Sequence, residues 1–198
     1  MEIRRLDRSR YGEASAVLAR AFQDDPAWAW LFPDDARRQQ VLPWLFRLGF
    51  DVTTADVWGT AGDLVGAARW LPPGRPPVKL SATLRALALT PLRLGSATLP
   101  FLAYGRAVEA LRVQVAPGPH WYLAGIGVEP ARRREGIGAA LLEPGLSASR
   151  EQHLPAVLLT NLEANISFYE HHGFRVVREG RTPPEGPRAW AMVAAHEP

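Results

Sequence analysis

Arg132-Arg133-Arg134-Glu135-Gly136-Ile137-Gly138-Ala139 joins two apolar segments of different periodicity. Before it runs Trp121-Tyr122-Leu123-Ala124-Gly125-Ile126-Gly127-Val128, a continuous apolar run that reads as a buried strand. After it, Ile137, Ala140, Leu141 and Leu142 begin a helical period. Two glycines spaced by one residue let backbone N–H groups turn toward a ligand without Cβ obstruction. A helix starting there adds unpaired N–H donors and the positive end of its dipole. The chemistry that fits such a loop is phosphate, and the three arginines add guanidinium groups able to clamp its oxygens. The alternative is a glycine-rich connection with a solvated basic rim.

The surrounding chain alternates strands and helices. Residues 2–6 suit a short first strand, with Asp7 or Ser9 capping a helix whose Ala14, Val17, Leu18, Ala21 and Phe22 fall at 3–4 spacing. Asp24-Asp25-Pro26 stops that helix. An aromatic turn carrying Trp28, Trp30 and Phe32 leads to a second helix from Asp34 to about Gly49, which Pro43 should kink or delay. Val57–Thr60 and Val65–Trp70 read as a hairpin about Ala61-Gly62-Asp63. Pro72 to Pro77 reads as a corner. The apolar segment at about 79–113 reads as two or three short helices separated by Pro91, Gly95 and Pro100. Pro144 predicts a bend in the helix that follows the Gly loop, and Ala156–Thr160 a buried strand. A second helix, a strand at Phe174–Val177 and a strand at Pro187–Val193 close the chain. The order is βααββ, inserted helices, then βαβαββ, a mixed-sheet α/β domain spanning 1–198 with a helical insertion within 76–117.

Composition bounds the function. A formal charge of +3 with arginines scattered except at 132–134 gives no nucleic-acid footprint, and acidic ligands suit it better. The absence of cysteine excludes disulfides, a cysteine nucleophile and thiolate zinc sites, and the scattered histidines form no ligand set, so no metal is expected. Neither a Gly-x-Ser-x-Gly elbow nor a Gly-Lys-Ser/Thr phosphate loop occurs. Without an apolar signal core or a run of about 18–20 apolar residues, a cytoplasmic protein with no membrane partner is expected.

Arg133-x-x-Gly136-x-Gly138 resembles the Gln/Arg-x-x-Gly-x-Gly/Ala signature of the GNAT superfamily of acetyl-CoA-dependent N-acetyltransferases. The later Asn165-Ile166-Ser167-Phe168-Tyr169-Glu170-His171-His172-Gly173-Phe174 is similar to its second signature, a helix ending Tyr-x-x-x-Gly-Phe. Within the superfamily, Asp25-Pro26, Val57-Trp58, Leu141 to Gly145 and Pro184 to Arg188 with Trp190 and Met192 resemble the puromycin N-acetyltransferase group. That likeness fades from 76 to 118. The resemblance implies a mostly antiparallel central sheet flanked by helices and splayed between its fourth and fifth strands. It implies acetyl-CoA as cosubstrate, its pyrophosphate at Arg133, Arg134, Gly136, Ile137, Gly138 and Ala139, and its pantetheine along the backbone of Ile126 and Val128. Asn165 stands as a further contact, and Gly125 and Gly127 would permit close approach.

Two departures stand out. Leu159 replaces a Glu often found in strand five of these relatives, and Leu162 replaces an Asn seven residues before the Tyr, with Asn161 and Asn165 nearby. The resemblance assigns Tyr169 as the acid that protonates the leaving thiolate. His120, Glu129, Glu163, Asp24 and Asp25 remain open as bases, while His171 and His172 read as a helix-end pair. The acceptor expected is a primary amine on a small aromatic or aminoacyl-like molecule. Peptide acetylation and a noncatalytic acyl-CoA-binding module are the alternatives, in a monomer or homodimer. The insertion either covers the substrate side, extends the core or forms an interface.

Overall fold

The computed structural model of the chain describes residues 1–74 and 80–195. In order these form β1 (Ile3–Arg5), α1 (Tyr11–Ala21), α2 (Pro26–Leu31), α3 (Asp35–Val52), β2 (Asp56–Thr60), β3 (Gly66–Leu71), α4 (Leu80–Leu94) and α5 (Thr98–Val115). There follow β4 (Trp121–Val128), α6 (Ile137–Glu151), β5 (Ala156–Thr160), α7 (Ile166–Glu170), β6 (Arg175–Arg181) and β7 (Arg188–Ala194). The strands make one seven-stranded sheet in the order β1-β2-β3-β4-β5-β7-β6. Every neighbouring pair is antiparallel except β4 and β5.

That parallel pair determines where the sheet opens. Its ladder joins only Trp121 to Ala156, Tyr122 to Val157 and Leu123 to Leu158. Beyond Leu123, β4 continues to Val128 paired with β3 alone, and the β3 register slips between Arg69 and Trp70 so that Ala124 is an extra residue. Such a bulge increases the local twist and turns the strand away from its other neighbour. The expected splay between the fourth and fifth strands is present.

Alternation along the strands feeds two apolar layers. On one face α1 and α3 bury Ala14, Leu18, Leu42, Phe46 and Phe50 against Val57 and Ala67. On the other, α6 buries Ile137, Leu141, Leu142 and Leu146 against Ala68, Trp70, Leu123, Leu158 and Met192. Each of the Val, Leu, Ile, Phe and Met side chains among them contributes roughly 1.5–3 kcal/mol on leaving water. Gly127 sits where α1 crosses the sheet, and a Cβ there would lie 2.6 Å from that of Ala21. Its smallness therefore serves helix packing rather than approach of a cofactor, contrary to expectation. Gly145 is similarly constrained, with a Cβ falling 2.1 Å from the fully buried Trp70 ring. The helix is continuous through Pro144.

Some local readings need correction. The aromatic turn is a helix, α2, because Asp25 accepts from the Ala27 N–H at 2.9 Å and Pro26 takes the first helical position, where its missing N–H costs nothing. Pro43 neither delays nor ends α3, which starts at Asp35 under the Asp34 cap. The insertion forms two long helices joined by a 3₁₀ turn at Gly95–Ala97, with Pro91 inside α4 and Pro100 in the first turn of α5. Of the corner read at Pro72 to Pro77, residues 75–77 lie outside the described residues.

The insertion is part of the fold's packing. Leu94, Phe101 and Tyr104 join the α1/α3 layer, and Leu111 packs with Ala189 and Ala191 of β7. Tyr104 Oη donates to Asn161 Oδ1 at 2.9 Å, while Asn161 Nδ2 donates to the Arg188 carbonyl at 2.7 Å, so α5 is tied to the ends of β5 and β7. At the far end of α5, Arg112 lies 5.4 Å over the Tyr122 ring and donates to His120 Nε2 at 2.5 Å. No described helix is long and apolar enough to cross a membrane.

These contacts set a stability test. Gly145→Ala should destabilise by about 1–3 kcal/mol or more, since the added methyl cannot move the buried indole. Gly105→Ala, exposed in α5 with nothing within 4 Å of its Cβ, should stabilise by up to about 1 kcal/mol. Urea denaturation that gave both variants the same sign would contradict this packing.

Candidate active site

Where β4 and β5 part, a cavity of about 160 Å³ opens. It is bounded by Phe22, Asp25, Trp28 and Phe46 from α1, α2 and α3, by Tyr104 and Val108 from α5, and by Tyr122 to Ile126 of β4. Leu158 to Asn161, Asn165 and Tyr169 close it. Of the residues that the resemblance assigns to the cofactor or to catalysis, Tyr169, Asn165 and Ile126 meet there, together with Gly125 and the candidate base Asp25. The insertion is one of its walls, through Tyr104 and Val108.

Tyr169 is buried near the end of α7, its ring edge-on to Phe168 and Phe174 at centroid distances of 5.2 and 5.9 Å. Burial, with a smaller contribution from the Asp25 charge, pushes its phenol pKa well up, so it holds its proton at neutral pH. Asn165 makes no cap bond with its side chain. Asn161 has both ends of its amide engaged, Oδ1 by Tyr104 of α5 and Nδ2 by Thr182 and the Arg188 carbonyl. Leu159 lines the wall on β5.

The phosphate-type loop lies at the other end of the parted strands. Arg134 and Gly136 both adopt left-handed backbone, at φ 67° and 77°, and Gly136 caps α6 without any side-chain cap. The first-turn N–H groups of α6 are therefore left for solvent or a ligand. Ile137 turns its side chain into the core, so only its backbone faces the loop. A Cβ on Gly138 would lie 3.2 Å from the Phe168 ring, tying the loop helix to the Tyr169 helix. Arg133 donates to the Ala21 carbonyl at 3.3 Å, and Arg132 pairs with Glu135 at 2.7 Å. The arginine triplet is thus divided between holding the loop and facing outward. Val128 lies between loop and cavity, and Gly125 has nothing within 4 Å of a Cβ position.

Of the five open base positions, one borders the cavity. Asp24 is exposed, Glu129 is paired with Arg20, and Glu163 pairs with Arg188 at 3.3 Å. His120 is spent as well. Arginine can only donate, so Nε2 of His120 accepts from Arg112 and its Nδ1–H donates to the Gly118 carbonyl at 2.7 Å. Burial holds that ring neutral by lowering its pKa. Asp25 lines the cavity, and burial among aromatic rings pushes its carboxyl up to about 6, against the pull of the Ala27 and Trp28 N–H groups. The sequence signal for it was the Asp-Pro helix start, which gave no reason to prefer it over Asp24. Among the aromatic trio only Trp28 reaches the cavity, while Phe32 is core. Nδ1 of His171 and His172 lies 2.5 and 2.7 Å from the Ser167 and Phe168 carbonyls, as helix-end residues do.

Residues 98–176 match the model of the acetyltransferase (GNAT) domain family. Across nearly its whole length the chain is similar to solved structures. One is "histone acetyltransferase HPA2 and related acetyltransferase" from Corynebacterium glutamicum, 18% identical with a TM-score of 0.67, covering 99% of this chain and 97% of that one. Another is a polyamine N-acetyltransferase of Drosophila melanogaster, 16% identical with a TM-score of 0.59 over 98% and 99%. A ribosomal-protein-alanine N-acetyltransferase from Brucella melitensis is 17% identical with a TM-score of 0.55 over 99% and 100%. The chain has the GNAT fold. Its domain match together with these likenesses supports an acyl-CoA N-acyltransferase, and GNAT acetyltransferases use acetyl-CoA.

Asp25 carries a stability signature. Its folded pKa of about 6 lies above the ordinary 3.8, so the folded state binds the extra proton. Stability from this group is full below the ordinary value and is lost as pH rises through about 6. Removing the charge with Asp25→Asn keeps a good helix cap, and the variant should gain on the wild type between pH 4 and 7, by up to about 3 kcal/mol. Urea midpoints measured across that range check this, and a constant difference would contradict it.

Proposed function

We propose that this protein moves the acetyl group of acetyl-CoA directly to the primary amine of a small molecule with an aromatic or aminoacyl-like body. The observation carrying this reading is the cavity between the parted strands. There an unpaired strand edge, a buried tyrosine and an aromatic chamber meet beside a loop suited to phosphate.

Acetyl-CoA is a consumed substrate, supplying an activated acyl carbon and a thiolate leaving group. Arg133, Arg134 and the N–H groups of Gly136 to Ala139 hold its pyrophosphate, joining charge to the open helix N-terminus. The β4 backbone at Ile126 and Val128, free of β5, pairs with the pantetheine amides as an added strand would. Asn165 offers an amide to the same arm. A β4 N–H polarises the thioester oxygen, and Gly125 leaves room for it. Tyr169, kept protonated by burial, gives its proton to the thiolate.

The acceptor side favours a monocation on an apolar body. Trp28, Phe46, Phe22 and Tyr104 supply rings, and among the cavity-lining residues Asp25 is the one carboxylate. The neighbouring polyamine enzyme forms N-acetylagmatine, a product of a dicationic amine, but a dication here would have a single carboxylate to meet two charges. The likeness of the closing stretch to the puromycin N-acetyltransferase group makes puromycin a suitable first acceptor.

Tyr169→Phe keeps the ring and removes the acid. Its turnover should fall about 10²–10⁴-fold with acetyl-CoA affinity nearly unchanged, and a wild-type rate when chemistry limits would exclude the role. Hydrogen bonds to a charged group contribute roughly 1.5–3 kcal/mol each, so Gly136→Val and Gly138→Val should bind acetyl-CoA about tenfold or more weakly by calorimetry. Unchanged affinity in the folded variants would remove the loop assignment. A thiol-release assay should rank puromycin and 2-phenylethylamine above agmatine, spermidine and aminoglycosides. The reverse order would reject the aromatic chamber, and preference for N-terminal peptides would favour peptide acetylation. Acetyl-CoA binding with no turnover would favour a noncatalytic module.

A further inference from the structure

We propose that Asp25 is the general base of the reaction, receiving the acceptor's ammonium group in the aromatic chamber and taking the proton that frees the amine for attack. This rests on the acetyl-transfer reading above and adds to it the residue and the charge state of the acceptor.

Direct transfer needs the nitrogen lone pair, yet an alkylammonium is almost wholly protonated at neutral pH. Some group in the cavity must accept a proton. Its other titratable lining groups are Tyr104 from α5, Tyr122 from β4 and Tyr169 from α7, all raised by burial and all protonated. Among the described residues, no arginine, histidine or second carboxylate lines it. On the neighbouring helix α3, Arg38 is engaged by the Gln23 and Phe32 carbonyls and by Asp35. Among the described residues that line the cavity, Asp25 therefore faces the acceptor with no cation beside it.

Helix capping alone does not account for the residue. The cap needs one oxygen, which serine, threonine or asparagine supplies without charge. Here a charge is kept where burial penalises it, and the Asp25 charge is felt at both Tyr104 and Tyr169, on opposite sides of the chamber. An arriving ammonium offsets that penalty by supplying the missing opposite charge and keeps Asp25 as the carboxylate that can accept a proton.

The proton count closes. The Asp25 carboxylate takes one proton from the ammonium nitrogen. The nitrogen lone pair forms the C–N bond at the thioester carbon, the C–S bond breaks, and the thiolate takes the Tyr169 proton. The second nitrogen proton restores the Tyr169 phenol, and Asp25 releases its own to solvent, one proton per turnover.

The test uses the full chain with 2-phenylethylamine, whose ammonium titrates near the lysine value of about 10, well away from the enzyme's group. Wild-type kcat/KM for the amine should rise through an acidic limb near pH 6, the value burial gives Asp25. Asp25→Asn, which keeps the cap, should lose that limb and about 10²–10⁴ in kcat/KM at pH 7, with calorimetric acetyl-CoA affinity unchanged. Asp25→Glu should retain a limb. If Asp25→Asn keeps the limb and the rate, or loses only acetyl-CoA affinity, the assignment falls while acetyl transfer stands. If the wild type binds acetyl-CoA and acetylates no amine, the acetyl-transfer reading falls and takes this assignment with it.

Discussion

The structure depends on a parallel strand pair that is allowed to form for only three residues. Between Trp121 and Leu123, β4 and β5 share a ladder, anchored below by the Trp121 N–H donating to the Pro155 carbonyl at 2.9 Å. Past Leu123 the bulge at Ala124 turns β4 aside. Backbone groups left without a partner in a protein interior are costly, so an opening of this kind persists where the strands are held on their other edges. β3 and β7 do that, each paired along the length of its neighbour.

The two layers brace the opening from opposite faces. On one, α6 lies close enough to β3 that Gly145 meets Trp70 with no room for a methyl group. On the other, α1 sits on Gly127 with equal closeness. β4 is thus fixed by contacts that do not involve β5. The insertion supplies the remaining restraint, because Tyr104 and Asn161 connect α5 to the upper end of β5 while Arg112 and His120 connect it to the lower end of β4. Helix α5 spans the gap, and its apolar side becomes the chamber wall.

Much of this was legible in the chain. Continuous apolar runs marked the buried strands, and the Gly-x-Gly loop with the later Tyr-x-x-x-Gly-Phe placed a helix at each end of the gap. What was not legible shares a physical cause. Proline and glycine signals are local, whereas Pro91, read as a break between short helices, sits inside a helix that tertiary packing keeps continuous. Gly127 looked like a concession to a ligand because the sequence cannot say that α1 folds back across it. Asp25 was one of five acidic or basic candidates because burial and pairing, which separate it from Glu129 and Glu163, arise only when distant elements meet.

Those same distant elements make the chamber chemically asymmetric. At its α7 end a phenol is buried enough to remain an acid. At its α2 end a carboxyl is buried enough to approach neutrality without reaching it, since the N–H groups of Ala27 and Trp28 pull the other way. Burial raises both pKa values, but from starting points near 10 and 4 it leaves one group protonated and the other able to exchange a proton close to neutral pH. A single desolvated space therefore produces a proton donor and a proton acceptor from two ordinary side chains. The aromatic rings that wall it exclude water, and that exclusion sets the proton affinities of Asp25 and Tyr169.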